Sequence, residues 1–278
     1  VNRLIITNGD MAAERIQTLQ PEVTVLPWRD VLHDGPLGDF DRLQDQSIHR
    51  AAFIAEFADM APEDVVRDFE HRDQVFLQAG SYERVELWFE QDLYDQLQLL
   101  QIIDAACKQL PDTSLYVVQA DTYLCELPDM EFAALPSHAR LLSKAQKDYA
   151  VKAWAAVVSE DWPFADQVEA PLPYVPSALK RLQGERQDFP LSLYYASRPL
   201  LEGPMKVKEM FRAMQAAEEA KFMGDLSFYH LLKGYLAAPD PLFKSAYQDG
   251  MDYMDFFNLD VSLTDKGTEA LKAFSVSL

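Results

Sequence analysis

The chain has 278 residues, of which 49% are hydrophobic, enough for one large domain or two smaller ones; no apolar run approaches the roughly 20 residues that a membrane helix needs. A net charge of −20 argues against nucleic acid and anionic membranes as partners, and leaves metal ions, small molecules and basic proteins open. Two cysteines, Cys107 and Cys125, cannot make a disulfide framework or a cysteine-rich zinc site, so a reducing cytoplasm is the expected compartment.

Val1 to Thr7 is too short for a signal sequence and reads as a first strand around Leu4-Ile5-Ile6. Asn8-Gly9-Asp10 is a turn into a helix expected from Met11 to Leu19. Gly9 permits a positive φ or a close backbone approach, and Asp10 is placed as an N-cap, a role that would explain it without any ligand. A lone Gly9 is not the glycine fingerprint of a dinucleotide site. Val23 to Leu26 is the second strand. It enters the loop Pro27 to Pro36, which carries Trp28, Asp30 and His33 and closes on the turn signal Gly35-Pro36. No other histidine lies four residues from His33, so a histidine-pair metal site is not indicated.

Residues 44–79 read as helical, with Phe53, Ile54 and Phe57 on one face and a second helix opening at Pro62-Glu63-Asp64. This segment is a helical insertion before the third strand, Arg84 to Leu87. The period then changes from strand to helix across Trp88-Phe89-Glu90-Gln91-Asp92-Leu93-Tyr94-Asp95-Gln96, and the helix continues to about Leu110. Leu115 to Val118 is a fourth strand. Strands alternating with helices predict parallel pairing, and hence a Rossmann-like, mostly parallel α/β domain over residues 1–130.

From 131 the strand pattern stops. A helix is expected over Ala139 to Val158, followed by a proline-dotted stretch, and 131–189 reads as a helical connector. The last segment, 190–278, offers three helices beginning near Leu191, Val207 and Asp225. A small hairpin between Pro241-Leu242-Phe243 and Leu259 to Leu263 follows, then a closing helix. That order is winged-helix-like. Its candidate recognition helix, Ser227 to Leu236, carries only Lys233 as a base, and the segment has 9 basic against 12 acidic residues. A DNA reader presents several Lys or Arg to phosphates, so protein docking or structural support is the expected use.

Several stretches together carry a resemblance: Asn8-Gly9-Asp10, Trp28-Arg29-Asp30 with Gly35-Pro36, and Trp88 to Gln96. Pro173-Tyr174-Val175-Pro176-Ser177-Ala178-Leu179 and Phe222-Met223-Gly224-Asp225-Leu226-Ser227-Phe228 add to it. On these the chain resembles a bacterial family of uncharacterised proteins defined by a domain of unknown function. The resemblance implies an α/β front half and a helical back half, and no particular activity.

Three polar turns follow strands one, two and three. If those strands are neighbours, their carboxyl ends open on one crevice. It would gather Asn8, Gly9, Asp10, Trp28, Asp30, His33, Glu90, Asp92, Asp95 and Gln96. Carboxylates brought together repel unless a cation or shared protons offset the charge. Oxygen donors of this kind suit Mg²⁺ or Mn²⁺, with Asp10, Glu90 and Asp92 as the expected ligands and Glu90 or His33 as general acid or base. Glu90 and Asp10 are expected to approach one another. Asp92 as N-cap and Asp95 in the first turn would also serve the helix alone. Two functions stand: a ligand- or metal-dependent site, as in a hydrolase or transferase acting on a phosphorylated or nucleotide-like compound, and a non-enzymatic regulatory or adaptor protein whose last unit docks a protein partner.

Overall fold

The computed structural model describes residues 2–166 and 170–277, and the chain divides into two compact units, Val1–Lys180 and Arg181–Leu278. The first begins with β1 (Arg3–Asn8), α1 (Gly9–Leu19), β2 (Thr24–Trp28), α2 (Leu43–Phe57) and α3 (Pro62–Leu77). It continues with β3 (Arg84–Glu90), α4 (Leu93–Gln109), β4 (Leu115–Ala120), α5 (Asp129–His138), β5 (Arg140–Leu141), α6 (Lys144–Ser159) and the start of α7 (Val175–Glu185).

These strands form one five-stranded sheet in the order β2-β1-β3-β4-β5. The pairs β1–β2, β1–β3 and β3–β4 are parallel, and only β5 runs antiparallel to its neighbour. The expected mostly parallel α/β sheet is therefore present. The chain places β2 on one side of β1 and then returns to place β3 on the other, so the strand order reverses between β1 and β3. Ile5, Trp88 and Val118 point to one face, where Ile16 of α1 and Phe132 of α5 cover them. Leu4, Ile6, Leu87 and Phe89, one residue out of phase, are just as buried. Sheets covered on both faces need such continuous apolar runs.

Several boundaries differ from the sequence expectation. The first helix starts at Gly9 rather than Met11, which puts Asn8 and not Asp10 in the N-cap position. In segment 44–79 the second helix opens at Pro62 as expected, but the helical run is interrupted at 58–61, where Asp59 has φ 51°. Strand β5, lying past residue 130, is two residues long and too short to leave a period in the sequence. Helix α6 begins at Lys144 instead of Ala139 because Ser143 and Gln146 form a reciprocal capping box. That helix packs against α4, so much of the expected connector belongs to the first compact unit. Its residues 167–169 lie outside the described ones.

The second unit holds α8 (Leu191–Ser197), β6 (Met205–Lys206), α9 (Val207–Ala217), α10 (Asp225–Leu236) and β7 (Phe243–Lys244). After these come α11 (Tyr253–Phe257), β8 (Asp260–Leu263) and α12 (Asp265–Ser277). The expected pairing of the 241–243 and 259–263 segments forms as antiparallel β7 and β8, and β6 joins on the other side of β8. Phe228, Leu232, Met210 and Phe256 fill this unit's core. Arg181, at its start, donates to Glu218, Glu185 and Ser192, so every nitrogen of its half-buried guanidinium has an acceptor. Among the described residues no helix is long and apolar enough to cross a membrane.

Candidate carboxylate site

In open α/β sheets, ligands bind outside the carboxyl ends of the strands where the strand order reverses. Here that place is bounded by Asn8, the last residue of β1, and Glu90, the last of β3. Two residues later Asp92 caps α4, accepting from the Asp95 backbone N–H at 3.2 Å. The cap fixes the first turn of α4 and turns Asp95 back toward the strand ends. The Asp95 carboxylate accepts there from the Glu90 N–H and from Asn8 Nδ2, the latter at 2.6 Å. Asn8 therefore spends its side chain on Asp95 and gives α1 no side-chain cap. Gln96 Nε2 donates to the Glu90 carbonyl at 2.6 Å, and Gln119 Nε2 donates to Gln96 Oε1 at 3.3 Å. Glu90 Oε1 accepts from the Leu124 N–H at 2.7 Å.

The outcome is a cluster in which Glu90, Asp92 and Asp95 each offer an oxygen, all within 4.8 Å of one another. All three residues are buried. Burial disfavours their charged forms and is the main reason their pKa values rise. Asp92 is pushed up to about 7, first by burial and then by the charge of Glu90. Burial also raises Glu90, against the hydrogen bonds from Leu124 and Asn8. Asp95 lies well above the usual carboxylate range, by burial first and then by the charges of Asp92 and Glu90. Neutral pH thus leaves this cluster short of positive charge: it holds protons or attracts a cation.

The expected crevice is assembled only in part. Asn8, Glu90, Asp92, Asp95 and Gln96 come together, but Asp10 does not join them. Its half-exposed carboxylate pairs with Arg29 at 2.7 Å, because Arg29 follows β2 and β2 lies beside β1. Of the expected ligands Asp10, Glu90 and Asp92, the last two lie together with Asp95, while Asp10 pairs with Arg29. At Gly9 the backbone has φ +41°, and a Cβ there would meet nothing within 4 Å, so conformation rather than close approach favours glycine.

Asp30 and His33, also expected in the crevice, are buried against other partners. Asp30 is buried and accepts two hydrogen bonds from Arg50, at 2.7 and 3.0 Å. His33 is buried, with Nε2 3.5 Å from Asp34 Oδ2 and its ring edge-on to Tyr94. Trp28 is buried and donates from Nε1 to Gln101 at 2.7 Å, while Gln98 of the same helix donates to the Trp28 and Asp30 carbonyls. Arg50 is the residue that sequence reasoning passed over. Its signal was its position three and four residues before Phe53 and Ile54, a cation on an apolar helix face that needs a buried acid.

These features define a mostly parallel α/β unit with a buried three-carboxylate cluster at the carboxyl ends of its central strands. No family model and no curated protein matches the chain.

Proposed function

We propose that the first unit binds a small divalent cation, Mg²⁺ or Mn²⁺, through Glu90, Asp92 and Asp95. The observation that carries this reading is the gathering of three carboxylate oxygens within 4.8 Å, all buried, where the strand order reverses. The donor set fits such an ion. Metal–oxygen bonds of about 2.1 Å place neighbouring octahedral ligands about 3 Å apart and opposite ones about 4.2 Å apart. The sites are all hard oxygens, with neither a paired histidine nor a thiolate among them. When bound, such an ion would polarise a phosphoryl or carbonyl oxygen and acidify its water. Asn8 and Gln96 hold the carboxylates in place, and Gln119 steadies Gln96.

On this reading the first unit is a Rossmann-like ligand-binding module, and its chemistry is that of a hydrolase or transferase on a phosphorylated or nucleotide-like compound. The two cysteines, Cys107 and Cys125, both free, favour a reducing cytoplasm for such a protein. The second unit is winged-helix-like: the order α8, β6, α9, α10, β7, α11, β8, α12, with β7 and β8 paired, supports that reading. Its 11 basic and 14 acidic residues favour a protein partner over DNA, which keeps a regulatory or adaptor role as the second reading.

Calorimetric titration with Mg²⁺ and Mn²⁺ tests the proposal. Saturable 1:1 binding that Glu90→Gln abolishes is the expected result. A wild-type protein that binds neither ion above pH 7 would exclude the cation site and leave the cluster as a proton-sharing structural element.

A further inference from the structure

Between the end of β2 and the two helices α2 and α3 lies a cavity of about 490 Å³, a size typical of small-molecule sites. It is separate from the carboxylate cluster, sharing no residue with it. Its apolar walls come chiefly from Ile54, Val65 and Phe69, and its polar groups are Asp10, Arg29, Asp68 and Arg72.

Arg72 is the unusual member. It is only 5% exposed. Nε and Nη2 donate to Asp73 Oδ1 at 3.0 and 2.8 Å, and Nη2 also donates to Ser47 Oγ at 2.7 Å. The guanidinium carbon lies 4.2 Å from the Trp28 ring centroid and 4.5 Å from that of Phe69. Five contacts thus hold the group in one orientation, yet Nη1 is buried without a hydrogen-bond acceptor. A buried charged donor left unsatisfied is costly, and native proteins rarely keep one without a use.

The sign of the surroundings selects the ligand. Arg29 is paired with Asp10, Arg72 with Asp73, and the exposed Asp68 adds a further negative charge at the cavity. The wall thus carries two acids and two bases, with both bases already paired, so a bare phosphate would meet no net positive charge. A ligand carrying one carboxylate and one ammonium meets both signs and changes the net charge by nothing. We propose that this cavity binds a zwitterionic small molecule of the amino-acid class, its carboxylate on Arg72 Nη1 and Arg29, its ammonium toward Asp68, and its apolar side chain against Val65, Ile54 and Phe69. Nη1 is closed off from water in the structure, so binding includes a small rearrangement of the cavity wall. Met60, unbranched and 41% exposed, is the lining residue best suited to make it.

The test is saturation-transfer NMR and equilibrium dialysis on the full chain, with L-leucine, L-methionine and L-phenylalanine as probes. Phenethylamine lacks the carboxylate, N-acetyl-L-phenylalanine lacks the ammonium, and inorganic phosphate is the anion alone. At least one zwitterion is expected to bind saturably at one site, and both truncated compounds at least tenfold more weakly. Asp68→Asn alters an exposed side chain and should leave folding intact while weakening the zwitterion about tenfold. Arg72→Lys should abolish binding if it folds. The inference is overturned if no zwitterion binds by about 10 mM, the weak end of specific recognition. It is equally overturned if the truncated compounds bind as well as the parent, if phosphate binds in its place, or if Asp68→Asn has no effect.

Discussion

Replacing Glu90 by glutamine removes one charge from the carboxylate cluster and keeps an acceptor for the Leu124 N–H. The magnitude follows from Asp92. A buried aspartate whose midpoint rises to about 7 forfeits about 4 kcal/mol of stability once it must ionise. Burial is the larger cause and the Glu90 charge the second, so Glu90 accounts for less than half, about 1 to 2 kcal/mol. The sign depends on pH. A raised folded-state pKa contributes stability that is complete below the ordinary aspartate range and is lost as pH rises through about 7. Wild type should therefore melt lower at pH 8 than at pH 5, and Glu90→Gln should recover part of that loss at pH 8, raising Tm by about 3–6 °C. At pH 5 the two proteins should melt together. All four tryptophans, Trp28, Trp88, Trp154 and Trp162, lie in the first compact unit, so intrinsic fluorescence follows its unfolding alone. Adding Mg²⁺ or Mn²⁺ at about 100 times Kd should stabilise wild type by about 2.7 kcal/mol and leave Glu90→Gln unmoved. A variant that melts below wild type at pH 8 would refute the reasoning, because it would make Glu90 a net stabilising charge.

Three further outcomes are expected. Cation affinity, measured calorimetrically from pH 6 to pH 8, should weaken as pH falls through about 7, because a proton on Asp92 competes with the ion; a flat profile would remove Asp92 from the ligand set. Arg50→Met should cost about 3–5 kcal/mol in urea denaturation, since it strands the buried Asp30 carboxylate, and a loss under about 1 kcal/mol would show that the pair contributes little. The full chain at physiological salt should give no sub-micromolar, salt-sensitive anisotropy change with duplex DNA, and such a change would contradict the charge argument for the second unit.

What could be read from sequence was whatever has a period or a local partner. The four parallel strands announced themselves as apolar runs, and Asp92 as a cap is a relation between neighbours in the chain. Glu90 stood out because it preceded that cap at a strand end. Relations across the fold left weaker traces. Asp10 looked like a site acid until Arg29, brought alongside by the pairing of β1 with β2, took its carboxylate. Asp30 looked like a crevice residue because its partner Arg50 lies twenty residues on. Asp95 read as an ordinary first-turn acid; its second role, joining Asn8 to the Glu90 backbone, depends on β1 lying beside β3. Strand β5 was invisible for another reason, since two residues define no alternation.

The Arg50 side chain has one more consequence, for anyone wishing to shorten this protein. Besides Asp30, it donates to the carbonyls of Val31, Asp34 and Pro36, and the neighbouring Phe53 ring fills the space that any side chain at position 35 would need. Apart from one turn bond between the Asp34 N–H and the Val31 carbonyl, the 29–36 stretch takes its main anchors from α2 and, at the Asp30 carbonyl, from Gln98 of α4. A chimera that kept the sheet but exchanged α2 would inherit the loop's residues without most of those anchors. The smallest transplantable piece of the sheet's β2 edge is the loop together with α2 and α4.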